Sequence, residues 1–313
     1  MCRKGLWTGA LLALALVGCN SGERTGGDGA EAADAVVADP AFVASNSAWR
    51  EERRARLLEP DGWASLIGLH WIELPAHYVG SGATSGIRLA KGPERMGLLQ
   101  QQGGKVYFTP EQDAGLTVGE EPVTERFELL PETSDTPTVV GFDEGKGQLV
   151  LIERGGRKAL RVRHAEAETL TGLGKLDYWP ADPSWKVTAR FVAHPAGTTV
   201  EVMDLIGMQQ AQPSPGVVEF ERDGTSFSLE ALEGEDGGLF LIFADRTSGH
   251  ESYAAGRYLY TAAPAADGTV EVDFNRAYNP PCVFSDFATC PLPPTDNRLD
   301  LPVTAGEKRY ARS

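Results

Sequence analysis

The chain is poor in the residues that most often announce a chemistry. Among 313 residues there are four cysteines and five histidines, and His70, His77, His164, His194 and His250 each stand alone. Zinc needs three or four nitrogen or sulfur donors converging on one point, and no spacing here supplies them, so neither a metal nor a cofactor is expected. Also absent are a Gly-x-Ser-x-Gly elbow, His-Glu-x-x-His, Cys-x-x-Cys and a Walker loop, and Gly172-Leu173-Gly174 lacks the third glycine of a dinucleotide fingerprint. Positive charge is scarce, with 29 Lys and Arg against 44 Asp and Glu. Such a surface repels phosphate backbones, which argues against nucleic acid as a partner. The apolar run at residues 6–18 falls short of the roughly 20 residues that a membrane-crossing helix requires.

What the N-terminus does have is Arg3 and Lys4 ahead of that run, the pattern of a signal peptide over residues 1–18. The run closes on Leu16-Val17-Gly18-Cys19, which resembles the lipobox of bacterial lipoproteins. The resemblance implies cleavage before Cys19 and a diacylglycerol on its thiol. The expected partner is therefore a membrane, reached through an N-terminal lipid, and the expected location is the cell envelope, on the periplasmic or outer-membrane side. Several acyl chains on one cysteine bind durably, at about 0.8 kcal/mol per buried methylene. Asn20, where an aspartate would retain enteric lipoproteins at the inner membrane, resembles the outer-membrane class. Residues 19–40 are mainly glycine, alanine and acidic side chains and read as a lipidated disordered tether.

Beyond the tether the chain predicts one helix and then a mostly β body. Asp39-Pro40 supplies an N-cap and a first-turn proline, Trp49, Arg53, Arg56 and Leu57 recur at helical spacing, and Glu59-Pro60-Asp61-Gly62 stops the run. This places an amphipathic helix over 41–60. Its cluster Glu51, Glu52, Arg53, Arg54 and Arg56 reads first as a solvated face, with a docking face as the alternative. Short β-type runs follow at 64–74, 86–89, 105–109, 116–118, 149–153 and 159–163. A second series follows at 187–193, 199–205, 217–221, 226–232, 239–244, 256–261 and 270–274. Alternation such as Val187, Ala189, Phe191, Ala193 sets one face on a core and one in water. The expected architecture is two antiparallel β units, sandwich-like or barrel-like, over 61–165 and 166–313, with a single large β domain as the alternative. Such a length exceeds the usual size of one core.

Between Trp71 and Leu130 the cadence of Val79-Gly80, Ile87-Arg88-Leu89 and Gly115-Leu116-Thr117-Val118-Gly119 resembles forkhead-associated domains. The ligand-reading residues of that family do not follow: Ser81 stands where it has an arginine, and no Ser-Arg-x-His precedes Leu98. Only the scaffold is implied, without phosphothreonine recognition.

The C-terminal third concentrates polar and aromatic residues that are costly to order. Tyr278-Asn279-Pro280-Pro281-Cys282, Cys290-Pro291, Asn297-Arg298-Leu299 and Ala305-Gly306-Glu307-Lys308 resemble the family named domain of unknown function 1684, over a stretch from about Trp49 to the end. That family carries no activity to transfer. The prolines fix dihedrals and remove amide donors, making a stiff loop where sites are often built. The candidate site residues are Asp245, Arg257, Asp273, Asn275, Tyr278, Asn279, Asn297, Arg298, Glu307 and Lys308. They support two readings. One is a binding or interaction module for a small ligand or an envelope protein, whose site lies in this loop region. The other is a hydrolase using a carboxylate pair drawn from Asp245, Asp273 and Glu307. In a third, purely structural reading, Arg257 pairs with Asp245 or Asp273 and the asparagines cap turns. Cys282 and Cys290 flank a proline-constrained loop and read as a disulfide candidate, with buried thiols and metal or catalytic use as alternatives.

Overall fold

The computed structural model describes residues 39–311, so the signal peptide, Cys19 and the tether up to residue 38 lie outside the described residues. Helix α1 spans Pro40–Leu57 and begins as its sequence dictates: the Asp39 carboxylate accepts from the Ala41 amide at 3.0 Å, and Pro40 occupies the first turn. It ends three residues before the expected limit, at Leu57, with Glu59-Pro60-Asp61-Gly62 beyond its end.

The rest is mostly β and antiparallel. A six-stranded sheet runs, in spatial order, Leu66–Trp71, Arg157–His164, Gly147–Arg154, Val139–Phe142, Thr117–Val118, Glu121–Pro122. Five strands, Ile87–Arg88, Ala76–Gly80, Gly97–Gln102, Lys105–Pro110 and Phe127–Leu129, form a second sheet. Their inner faces share one core, with Val79, Leu99 and Phe108 from the second sheet packed among Val140, Leu149, Leu160 and Val162 from the first. Ser81 in this region spends its hydroxyl on the Gly92 carbonyl at 2.7 Å.

The second half forms its own six-stranded sheet, ordered Arg257–Thr261, Leu239–Phe243, Thr225–Glu233, Gly216–Arg222, Lys186–Ala193, Thr269–Asp273, which curls into a near-barrel. Its central hairpin turns on Asp223-Gly224, both at positive φ (52° and 74°), the geometry a two-residue connection demands. A separate hairpin pairs Thr199–Met203 with Gln209–Pro213.

No strand follows Thr269–Asp273 among the described residues, yet residues 274–308 are not peripheral. Phe274, Leu299, Leu301, Val303 and Ala305 pack in the same core as Val218, Leu229, Leu241 and Val272 of the curled sheet. The irregular C-terminal segment therefore supplies apolar surface that a second sheet would otherwise provide. The two halves do not share a sheet, but Leu66 of the first packs with Val202, Leu232, Ile242 and Tyr258 of the second.

Gly306 is a tight point of the C-terminal segment. Its φ is +81°, and a Cβ there would sit 2.4 Å from the Ala277 carbonyl oxygen and 2.8 Å from that of Phe274. Gly306→Ala should combine left-handed strain with overpacking against backbone that has no room to move, at a cost of about 2–5 kcal/mol. Urea denaturation reads this as a lowered midpoint; an unchanged midpoint contradicts the placement.

Candidate functional site

Most of the residues singled out from the sequence are drawn into closed, buried networks. Arg257 is 0 % exposed and donates to Asp245 Oδ2 at 2.8 Å, to the Val303 carbonyl at 2.8 Å and to the Ala305 carbonyl. Its guanidinium lies 5.0 Å from the Trp179 ring and 5.2 Å from that of Phe243. Burial lowers its pKa, and Asp245 opposes that shift. Asp245 Oδ1 accepts from the amides of Thr247 at 2.7 Å and Val303 at 3.3 Å. The pair thus holds residues 303–305 against the sheet.

Two asparagines act as surrogate peptide groups. The strands Thr225–Glu233 and Leu239–Phe243 pair only at Leu232↔Phe240 and Glu233↔Leu239. Beyond that point Asn297 reaches in, accepting from the Glu230 amide at 2.7 Å and donating to the Glu230 and Ile242 carbonyls at 2.8 Å each. Asn275 makes the same reciprocal exchange with the Asp182 amide and carbonyl, at 2.9 Å each, and also donates to Asp273. Arg298 is exposed, and Lys308 places its ammonium 5.3 Å from the Trp179 ring.

Glu307 is 0 % exposed and receives donors from three segments. Arg53 Nε reaches Oε1 at 3.0 Å, the Tyr178 hydroxyl reaches Oε1 at 3.3 Å, and the Asn279 amide reaches Oε2 at 2.8 Å. Arg53 also donates to the Asn279 carbonyl at 3.0 Å and lies 4.5 Å above the Tyr278 ring. Its side chain is only 12 % exposed. The helix cluster expected to be a solvated face therefore turns two arginines toward the body, Arg53 onto Glu307 and the half-buried Arg54 onto the Leu173 and Gly174 carbonyls; Arg56 and Glu52 stay exposed and pair with each other. The periodicity of Trp49, Arg53 and Leu57 was the one local sign that Arg53 lies on the inner face.

Asp245, Asp273 and Glu307 are each committed to different partners, and none of the three hydrogen-bonds another of them. This arrangement gives the hydrolase reading no support. Nor are Cys282 and Cys290 joined by a disulfide: both are buried, and the Cys282 amide donates to Cys290 Sγ at 3.0 Å. Burial among apolar neighbours pushes the Cys290 thiol up, opposite to the shift a nucleophile needs.

One concavity does open beside these networks. A cleft of about 540 Å³ lies between α1 and the outer face of the curled sheet. Its walls are Trp49, Arg53, Arg56, Trp63, Tyr258, Tyr260, Arg276 and Tyr278, with Glu59 and Asp61 at the helix end. Tyr258 and Tyr278 exchange backbone hydrogen bonds at 2.9 Å each way, which fixes their rings edge to face at 5.9 Å. Tyr260, 50 % exposed, stacks on Tyr278 at 6.4 Å and on Phe240 at 4.6 Å. Burial raises the pKa of all three tyrosines, so their hydroxyls remain protonated. Of the residues expected from the sequence, Tyr278 lines this cleft; Trp49, Arg53 and Trp63 enter from outside the C-terminal third.

Residues 171–308 match the family described as Protein of unknown function (DUF1684), a narrower stretch than the resemblance from Trp49 onward suggested. A solution NMR structure of an uncharacterized protein of Haloarcula marismortui is similar at 35 % identity, over 42 % of this chain and 75 % of that one, with a TM-score of 0.35. No curated protein matches the chain.

Removing one member of a buried ion pair leaves the other charge uncompensated. Arg53→Met and Glu307→Gln should each lose about 3–5 kcal/mol of stability. The double variant should lose less than the sum by about 1–3 kcal/mol. Additive losses in a denaturation cycle would mean that α1 docks by packing alone.

Proposed function

We propose that this chain, which belongs to the DUF1684 family, is a lipid-anchored binding protein of the cell envelope that takes a small polar ligand with a flat or cyclic body in the cleft under α1. The observation that carries this reading is the cleft itself. Its volume of about 540 Å³ falls within the range of about 300–1,000 Å³ typical of small-molecule sites. Its aromatic wall is interrupted by a few fixed donors. Arg53 is held by Glu307 and stacked on Tyr278, so it is ordered before any ligand arrives. Preorganisation of this kind lowers the cost of binding. The tyrosines add large rigid surfaces with little rotamer entropy to lose, although the Tyr258 hydroxyl is spent on the Pro291 carbonyl at 2.9 Å. Glu52, Glu59 and Asp61 balance Arg53, Arg56 and Arg276 around the rim, which favours a neutral or zwitterionic ligand over a strongly charged one.

Anchoring at Cys19 keeps this acidic body at the membrane without any attraction between the protein surface and anionic headgroups. Cys19→Ala should move the protein from the membrane pellet to the soluble extracytoplasmic fraction, and mass spectrometry of wild-type material should find acyl chains on the N-terminal peptide. An unacylated Cys19 in native protein contradicts the anchor.

Ligand binding is tested by titrating a panel of nucleosides, mono- and disaccharides and aromatic amino acids while following tryptophan fluorescence. At least one class should saturate, and Tyr278→Ala should weaken it at least tenfold, equivalent to about 1.4 kcal/mol. A panel in which nothing binds more tightly than about 1 mM contradicts the reading.

A further inference from the structure

A second concavity, of about 520 Å³, lies where the six-stranded sheet of the first half meets the hairpin at residues 199–213, and it shares no lining residue with the cleft under α1. Its charged groups are mostly acidic: Glu132, Glu153, Asp204 and Glu233 face a single cation, Arg154. An acidic lining by itself specifies nothing, since carboxylates are often neutralised locally. Two of these are. Glu132 bridges Arg154 at 2.5 Å and Arg161 at 2.8 Å, and Glu153 pairs with Lys158 at 3.3 Å. Glu233 is exposed and has no ion pair among the described residues.

Asp204 is the unusual one. It is only 7 % exposed, and its Oδ1 accepts from the amides of Ile206 at 3.0 Å and Met208 at 2.8 Å. Oδ2 is buried and has no hydrogen-bond partner. A buried carboxylate oxygen without a donor is costly, and native interiors rarely leave one so. Because Arg154 is already spent on Glu132, no cationic side chain lining the concavity is left to reach it. A donor from outside the chain would meet an unshared carboxylate oxygen there. The concavity's walls combine the apolar side chains of Val202, Met208, Leu232 and Phe240 with the neutral polar ones of Thr133, Gln210, Gln212 and Thr289. A donor that fits such walls is an ammonium on an aliphatic chain rather than a heavily hydrated metal ion, which would need several converging oxygens; no metal-binding group of acidic or soft side chains occurs among the described residues.

We infer that this concavity is a second binding site, for an aliphatic diamine or polyamine. One ammonium donates to Asp204 Oδ2, the methylene chain lies along Leu232 and Phe240, and the other ammonium meets Glu233 at the rim. The site does not rest on the cleft under α1, and the two stand or fall separately.

The test is isothermal titration of the full chain at about 150 mM salt, where diffuse surface attraction is screened beyond about 8 Å. The probes are putrescine, spermidine, butylamine and the neutral isostere 1,4-butanediol. Putrescine or spermidine should bind one to one, putrescine more tightly than butylamine, and the diol not at all. Asp204→Asn keeps an acceptor for the Ile206 and Met208 amides while removing the charge, and should weaken binding at least tenfold with little change in melting temperature. Glu233→Gln, on the exposed rim, should abolish the preference of putrescine over butylamine. Absence of saturable diamine binding overturns the inference. So does a diol that binds as well as the diamine, or an Asp204→Asn protein that binds as wild type does. The wild-type comparison of diamine with diol decides the matter even if Asp204→Asn fails to fold.

Discussion

A carboxylate taken out of water has to be met by donors, and Glu307 is met by an arginine from α1, a tyrosine from the 177–179 segment and an amide from the Asn279 turn. Those three groups come from parts of the chain separated by more than a hundred residues. The cost of stranding this charge ties them together: if the helix leaves, Arg53 goes with it, and the carboxylate is left buried with two weaker donors. The cleft follows from the same contact, since Arg53 holds the helix at the distance that leaves room between Trp49 and the tyrosines, and its guanidinium covers Tyr278.

The wider constraint is the need of a long irregular backbone for hydrogen-bond partners. Residues 274–308 pack beside the core of a near-barrel without forming a strand of their own, and buried amides and carbonyls cannot be left bare. The chain answers with side chains shaped like peptide groups. Asn297 fills the gap between two splayed strands, Asn275 pairs with Asp182, and the Arg257–Asp245 pair serves both the carbonyl and the amide of Val303. Polar groups of this kind add little net stability compared with a well-packed apolar core, but they reject alternatives, because a slipped register would leave several of them unsatisfied at once. Of the strings that carry the resemblance, Asn297-Arg298-Leu299 contains one of these groups and Ala305-Gly306-Glu307-Lys308 contains the buried Glu307, while Asp245, Arg257 and Asn275 lie outside both.

This explains which parts were legible in the sequence. Helix α1 was, because Asp39-Pro40 and Glu59-Pro60-Asp61-Gly62 are local signals that act wherever they occur. The hairpin at Asp223-Gly224 was legible for the same reason, as were strands with clean alternation such as Lys186–Ala193. The strands Gly97–Gln102 and Gln209–Pro213 were not: their glutamines give no apolar period, and they become strands through their neighbours. In the C-terminal third the sequence marked the right residues and left their role open, since a carboxylate that completes a catalytic pair and one that locks a segment have the same letter. Arg53 escaped notice as a buried partner because Glu307 lies 254 positions away, and nothing local reports a contact of that range. The disulfide expected at Cys282 and Cys290 rested on an exported location and a proline-constrained loop; in the fold the two thiols are free, and the Cys282 amide donates to the Cys290 sulfur.

Native-state hydrogen exchange tests the central claim most directly. The amides of Asn279, Leu299, Val303 and Glu307 bond to Glu307 Oε2, the Ala244 carbonyl, Asp245 Oδ1 and the Ala277 carbonyl. If buried side chains truly replace a sheet for this segment, these amides exchange only through global unfolding, with the same free energy as Leu229 and Leu241 in the core strands. Exchange through a local opening well below that energy, with the core strands still protected, would mean that the segment merely rests on the near-barrel, and the account would fail.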